Sequence, residues 1–183
     1  RVNSGDTTFK AEYAEVAEKI KVLLDYAEPN PYAYSYNDAC TAFARGESAM
    51  YPIGSYAVPQ ILSVNPDMNI DSFPFPANEN EADNVLNSGI DLQFSVMKES
   101  KNKEAAYEVL RFLLEDETVQ IYLDDQGGIA CKEGDFALPV FLNGMEQCIK
   151  DNRMSDYHDH HYPSEMSVDA LIQTYLMDDS ENS

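Results

Sequence analysis

Amphipathic helices in this chain outnumber the strands that could cover them, and that imbalance limits its fold more than any other feature. Phe9, Tyr13, Val16, Ile20, Leu23 and Ala27 recur at intervals of three and four, the spacing of one helical face. Pro29 and Pro31 close this first helix. A second helix is expected over Tyr36 to Ala44, with Ser35 as its N-cap and Gly46 as its stop. Ser55 can cap a third, carrying Val58, Ile61 and Leu62 and broken by Asn65-Pro66-Asp67. Ser100 opens a fourth with Ala105, Ala106, Val109, Leu110 and Leu113 on its apolar side. A fifth runs from about Glu117 to Asp125 and stops at Gly127-Gly128. Phe141, Met145, Cys148 and Ile149 mark a sixth, and Val168, Leu171, Ile172, Tyr175 and Leu176 mark the last.

Against these stand only short strand-like runs. Ala49 to Ile53 and Ile70 to Phe75 each read as a strand. Ile90, Leu92, Phe94 and Val96 alternate with Asp91, Gln93, Ser95 and Met97, a half-buried strand by its period of two. Residues 77–84 are polar throughout and read as a solvated loop, and the tail 178–183 as a frayed end. The class is therefore α/β, helix-rich, with too few strands for a complete sheet. The expectation is that a part of the fold is missing on the N-terminal side. The first residue is Arg1 and no export signal is present, so the chain reads as a piece of a longer precursor, and the missing signal does not place it in the cytoplasm.

Charge removes whole classes of partner. With 33 acidic and 12 basic side chains, the formal net charge is −21. Such a surface repels phosphate backbones and anionic headgroups, which argues against nucleic acid and against peripheral membrane docking. No apolar run approaches the roughly 20 residues of a membrane span. Cys40, Cys131 and Cys148 form no C-x-x-C pair and no zinc spacing, and an odd count leaves at least one thiol unpaired within the chain. One disulfide among them and three reduced thiols are both compatible with the sequence.

Catalytic signatures are lacking. There is no G-x-S-x-G elbow, and Gly127-Gly128 ends a helix where a phosphate-binding loop would begin one. In so acidic a chain, neighbouring carboxylates carry no weight for glycosidase chemistry. No cofactor and no enzymatic activity are expected. Asp156-Tyr157-His158-Asp159-His160-His161 contains every histidine of the chain. Imidazole and carboxylate suit a transition metal, yet consecutive loop residues seldom aim three ligands at one point, and H-E-x-x-H is absent. The segment reads as a polar loop leading to the last helix. A metal-binding domain built on His158 to His161 is the less favoured alternative.

The stretch Ala42-Phe43-Ala44-Arg45-Gly46-Glu47-Ser48-Ala49-Met50-Tyr51-Pro52-Ile53-Gly54-Ser55-Tyr56 resembles the F-x-x-G-x-x-A-M-x-x-x-G-S-aromatic segment of family 1 extracellular solute-binding proteins, the maltose-binding-protein-like receptors of ABC importers. Phe73-Pro74-Phe75-Pro76, Gly89-Ile90-Asp91, Ser100 to Ala106 with Phe112-Leu113, and Gln126-Gly127-Gly128 continue it in order. Each piece is weak alone; their order and spacing carry the resemblance.

The resemblance implies a type II, two-lobed, periplasmic-binding-protein-like fold that closes on its ligand, of which this chain is the C-terminal part. Residues 1–88 would belong to the C-lobe, 89–128 to the N-lobe, and 129–183 would return to the C-lobe. Ser88, Gly127 and Gly128 would lie at hinge crossings. The implied role is capture of a small solute, a carbohydrate first, and its delivery to an ABC permease, by a monomer outside the cytoplasm with a lipid anchor possible. A non-sugar solute is the alternative. Ligand-binding positions would be Gly54, Ser55, Tyr56, Gly89 and Asp91.

These residue types suit a sugar, which has an apolar C–H face and a rim of hydroxyls, and so calls for a flat ring plus edge donors and acceptors. Tyr56 supplies the ring, where the family frequently has Trp, and Gly54 lets the backbone come close. Asp91, on the polar side of its expected strand, can accept charge-assisted bonds from hydroxyls.

Overall fold

The computed structural model describes residues 1–177; the tail at 178–183, expected to fray, lies outside them. In chain order the regular elements are α1 (Phe9–Leu24), α2 (Tyr36–Ala44), α3 (Val58–Val64), β1 (Leu86–Asn87), α4 (Lys103–Leu113), α5 (Asp116–Gln126), α6 (Glu146–Lys150), β2 (Met154–Ser155) and α7 (Val168–Met177), with short 3-10 turns between several of them. Each of the seven helices among the described residues overlaps a segment expected to be helical, but α4 starts at Lys103 with Asn102, not Ser100, at its N-cap, and Phe141 and Met145 lie in a 3-10 turn that precedes α6. They divide into two compact units: Arg1–Ser35 with the described residues from His158 onward, and Tyr36–Tyr157.

In the first unit α1 meets α7. Thr8 starts α1 by accepting the Ala11 amide at 3.2 Å through its side-chain oxygen. Phe9 stacks on Tyr13 with ring centroids 4.2 Å apart. Across the pair, the Tyr175 hydroxyl donates to Glu18 at 3.0 Å, and Lys21 Nζ sits 4.1 Å over the Tyr175 ring. The Tyr162 hydroxyl donates to that of Tyr13 at 3.4 Å. No residue of α1 or α7 is buried.

The second unit holds the core. Cys40 and Ala44 of α2 close against Ala57 and Ile61 at the start of α3, with Phe43, Tyr51, Met68 and Ile70 packed around them. Gly46 ends α2 in the left-handed conformation, at φ 75°, which places its amide 2.9 Å from the Phe43 carbonyl and the Glu47 amide 3.1 Å from that of Ala42. Asn65, at the far end of α3, donates its side-chain amide to the Ala44 carbonyl at 3.0 Å and ties the two helix ends together.

The expected strands are not strands. Ala49 to Ile53 and Ile70 to Phe75 are irregular, and their apolar residues Tyr51 and Ile70 serve the α2–α3 core instead. The alternating run Ile90 to Met97 is irregular too, with Ile90, Leu92 and Phe94 all more than half exposed. Alternation specifies which side of a strand would face a core, but a strand also needs a hydrogen-bonded partner. Among the described residues the sheet consists of β1 and β2 alone, parallel, with Leu86 opposite Met154 and Asn87 opposite Ser155. Two-residue strands leave no period to read, which is why neither was expected.

The polar loop at 77–84 is largely solvated, yet Asn84 within it is only 7% exposed. Its side chain accepts the Asn78 amide at 2.8 Å and donates back to the Asn78 carbonyl at 3.3 Å. Arg153 then donates to the carbonyls of Glu81 and Asn84, fastening the loop beside β2. No described helix is long and apolar enough to cross a membrane.

Candidate functional site

Gly54, Ser55 and Tyr56 form the entry to α3. Contrary to the expectation from sequence, Ser55 does not cap that helix with its side chain; Ser55–Ala57 is a 3-10 turn, and α3 starts after Ala57 with no side-chain cap bond. The turn is held by the Ala57 amide, which donates to the Gly54 carbonyl at 3.0 Å, and by the Val58 amide, which donates to that of Ser55. Ala57 is fully buried, so the turn is anchored in the core from below.

The Tyr56 ring folds back over Gly54. A Cβ at position 54 would lie 2.6 Å from Tyr56 Cδ1 and nearer still to Cε1, so any side chain there displaces the ring. The outer surface of the ring stays open, and Tyr56 is 59% exposed. Beside it stands Tyr36, at the first turn of α2, with ring centroids 6.2 Å apart and planes tilted by 33°. Sequence reasoning missed Tyr36. Its place directly after the expected cap Ser35 was visible, but nothing in the sequence says that the start of α2 comes alongside the start of α3.

The buried Cys40 thiol neighbours Tyr36 and Tyr51. Burial first, and then the neighbouring Cys40, raise the Tyr36 phenol above its ordinary value. The same causes in the same order push Tyr51 up to about 12. Both phenols therefore stay protonated at neutral pH, as hydroxyl donors and acceptors.

Gly127 closes this cluster from the other side. It ends α5 at φ 70° and is buried, with its amide donating to the Leu123 carbonyl at 2.9 Å. A Cβ on Gly127 would lie 2.7 Å from Phe141 Cζ and 3.2 Å from the Ser55 carbonyl oxygen. The fold thus brings together Gly54-Ser55-Tyr56 and Gly127, which the sequence separates widely. Gly128 follows with ordinary contact to Leu123.

Ser88 and Gly89 belong to a second cluster. The Ser88 amide donates to the Ser155 carbonyl at 2.8 Å and extends the β1–β2 pair by one residue. A Cβ at Gly89 would collide with the Asp156 carboxylate and lie 2.9 Å from Tyr157 Cδ2, so a side chain there would displace these two. Asp91 is exposed in an irregular segment, not on the polar side of a strand.

The histidine segment does not assemble a metal centre. Among the described residues no group of three or more His, Cys, Asp or Glu side chains could hold an ion. His158–His161 is a 3-10 turn, with the His161 carbonyl accepting from Asn3 at 2.8 Å. Asp159 helps to line a shallow hollow of about 540 Å³ with Tyr162, Glu165 and the first residues of α7. All three cysteines are free thiols, Cys40 and Cys148 buried and Cys131 exposed.

Comparison with known proteins agrees with this architecture. The multiple sugar-binding protein of Streptococcus mutans serotype c (strain ATCC 700610 / UA159) is 31% identical over 100 residues, which are 55% of this chain and 24% of that protein. The stretch aligned thus amounts to about a quarter of that relative's length. The family of bacterial extracellular solute-binding proteins matches residues 2–120, which include the α2–α3 core, the Gly54-Ser55-Tyr56 turn and Asp91. Its periplasmic-binding-protein-like fold accommodates an architecture rich in helices and poor in strands. The chain belongs to the bacterial extracellular solute-binding protein family.

Proposed function

We propose that this chain is part of a receptor that captures a carbohydrate outside the cytoplasm and hands it to the permease of an ABC importer. The observation that carries the reading is the open Tyr56 ring, held by a glycine turn beside Tyr36, within the segment matched to the family. Two tilted rings, each with a hydroxyl at its edge, offer an apolar platform and polar edges, the pairing that a pyranose needs. That a relative at 31% identity is named a multiple sugar-binding protein supports a sugar over other solutes. The role is binding, without catalysis.

In this proposal the receptor is two-lobed and monomeric, with a lipid anchor compatible with its location. Residues 1–88 and 129–183 belong to one lobe and 89–128 to the other, with Ser88, Gly127 and Gly128 at the crossings that bend. The exposed apolar residues Ile90, Leu92, Phe94, Val109 and Phe112 support this division, since they have the character of a surface that is covered in the complete receptor. Asp91 would meet sugar hydroxyls across the closing cleft from Tyr56.

A melting-temperature screen of the intact protein against mono- and oligosaccharides tests the reading. A ligand at 100 times its Kd stabilises the native state by about 2.7 kcal/mol, enough to raise the midpoint by several degrees. A shift with a sugar supports the proposal. Shifts confined to cationic solutes, for which the charge of −21 would provide attraction, would replace carbohydrate as the ligand class.

A further inference from the structure

We propose that Gly127 and Phe141 are positioning residues for the Tyr56 ring, acting through the Ser55 carbonyl. The two left-handed glycines that end helices in the second unit make the case by contrast. Gly46 and Gly127 have nearly the same backbone, φ 75° and φ 70°. A Cβ on Gly46 would meet nothing within 4 Å, so that glycine serves only the turn of the chain. A Cβ on Gly127 would meet Phe141 Cζ at 2.7 Å, Phe141 Cε2 at 3.0 Å and the Ser55 carbonyl oxygen at 3.2 Å. Helix termination demands the left-handed conformation at both sites. Only at 127 is the missing side chain itself used, and it is used to admit Ser55 and Phe141.

Neither neighbour can yield easily. The Ser55 carbonyl accepts the Val58 amide at the entry to α3, and the adjoining Ala57 is fully buried. Phe141 lies in the turn Val140–Met145 beside Leu142, which is 1% exposed and fixes that turn in the interior. A methyl group at 127 must therefore push on the Ser55 carbonyl or the Phe141 ring. Displacing the Ser55 carbonyl rotates the peptide that leads into Tyr56, and the ring, seated on Gly54, moves with it. Through this contact the position of Gly127 sets that of the Ser55 carbonyl and of the turn that follows it. The inference deepens the sugar-platform reading, and rests on it only for what the ring is used for.

The test is fluorine NMR of the intact protein labelled with fluorotyrosine, with the Tyr56 signal assigned by its loss in Tyr56→Phe. Gly127→Ala is expected to move the Tyr56 signal, while Gly46→Ala, with the same backbone strain and open space, leaves it in place. Phe141→Leu added to Gly127→Ala shortens the opposing ring and should return the signal towards its original position. A folded Gly127→Ala protein with an unmoved Tyr56 signal overturns the inference. If Gly127→Ala does not fold, Phe141→Leu alone is measured; withdrawing the ring that backs Gly127 should move the signal, and an unmoved one again overturns it. Because this readout needs no ligand, it separates the two readings. A Tyr56→Ala receptor whose sugar affinity is undiminished refutes the platform, and leaves the positioning result standing.

Discussion

Replacing Tyr56 by alanine removes a ring that is 59% exposed and seated on Gly54. A tyrosine side chain offers roughly 200 Å² of surface, so about 120 Å² of this one is open to a ligand. A sugar lying on one face covers about half of that, and about 60 Å² at about 25 cal/mol per Å² amounts to ~1.5 kcal/mol. The dissociation constant should rise on the order of tenfold, within the range of about 1–3 kcal/mol expected if the ring is a binding anchor. Little stability should be lost, because substitutions at exposed positions usually change it by less than about 0.5 kcal/mol. Tyr56→Phe keeps the face and loses only the phenol, so its cost is smaller unless that hydroxyl bonds the sugar. The assay is calorimetric titration of the intact receptor and both variants with the sugar found in the melting screen, with melting curves as control. Tyr56→Ala protein that binds as tightly as the unaltered receptor would show that the ring is not a platform. A large fall in melting temperature would mark it as a packing residue.

Three further outcomes follow from the geometry. Asp91→Asn keeps the shape but removes the charge assistance, and should weaken sugar binding by about 1–3 kcal/mol in the same titration; unchanged affinity would take Asp91 out of the site. Ile61, 2% exposed in the α2–α3 core, should cost about 2–5 kcal/mol on truncation to alanine, measured by urea denaturation; a negligible loss would contradict the core described above. The Tyr51 phenol, raised by burial and by Cys40 to about 12 from an ordinary value of 10, is favoured in its protonated form by the fold, so its contribution is intact below pH 10 and is lost as the pH climbs towards 12. Tyr51→Phe should flatten that alkaline loss of stability, and an identical pH profile in the variant would refute the assignment.

Much of the helical framework was legible because helix formation is local. The face Phe9, Tyr13, Ile20 and the stops at Gly46 and Gly127 follow from the 3.6-residue repeat and from the left-handed conformation that glycine tolerates. The strands were not legible, because pairing is not local. Ile90 to Met97 has the alternation of a strand and no partner among the described residues, whereas Leu86-Asn87 lacks any pattern and is paired. In the site, the motif singled out Gly54, Ser55 and Tyr56, while Tyr36 and Phe141 carried no signal of their own.

The division has a physical cause. By itself the sequence determined that the chain is rich in helices, roughly where they lie and where Gly46 and Gly127 stop two of them, and the order of motifs that marks its family. Only the tertiary structure decided that the glycine ending α5 lies against the Ser55 carbonyl, that the first turn of α2 brings a second ring beside Tyr56, and that Asp156 and Tyr157 crowd Gly89. Those contacts join segments far apart in the chain. The meeting of Tyr36 and Tyr56 follows because Cys40, Ala44, Ala57 and Ile61 bury one another and draw α2 and the entry to α3 together. No spacing within either segment encodes that meeting.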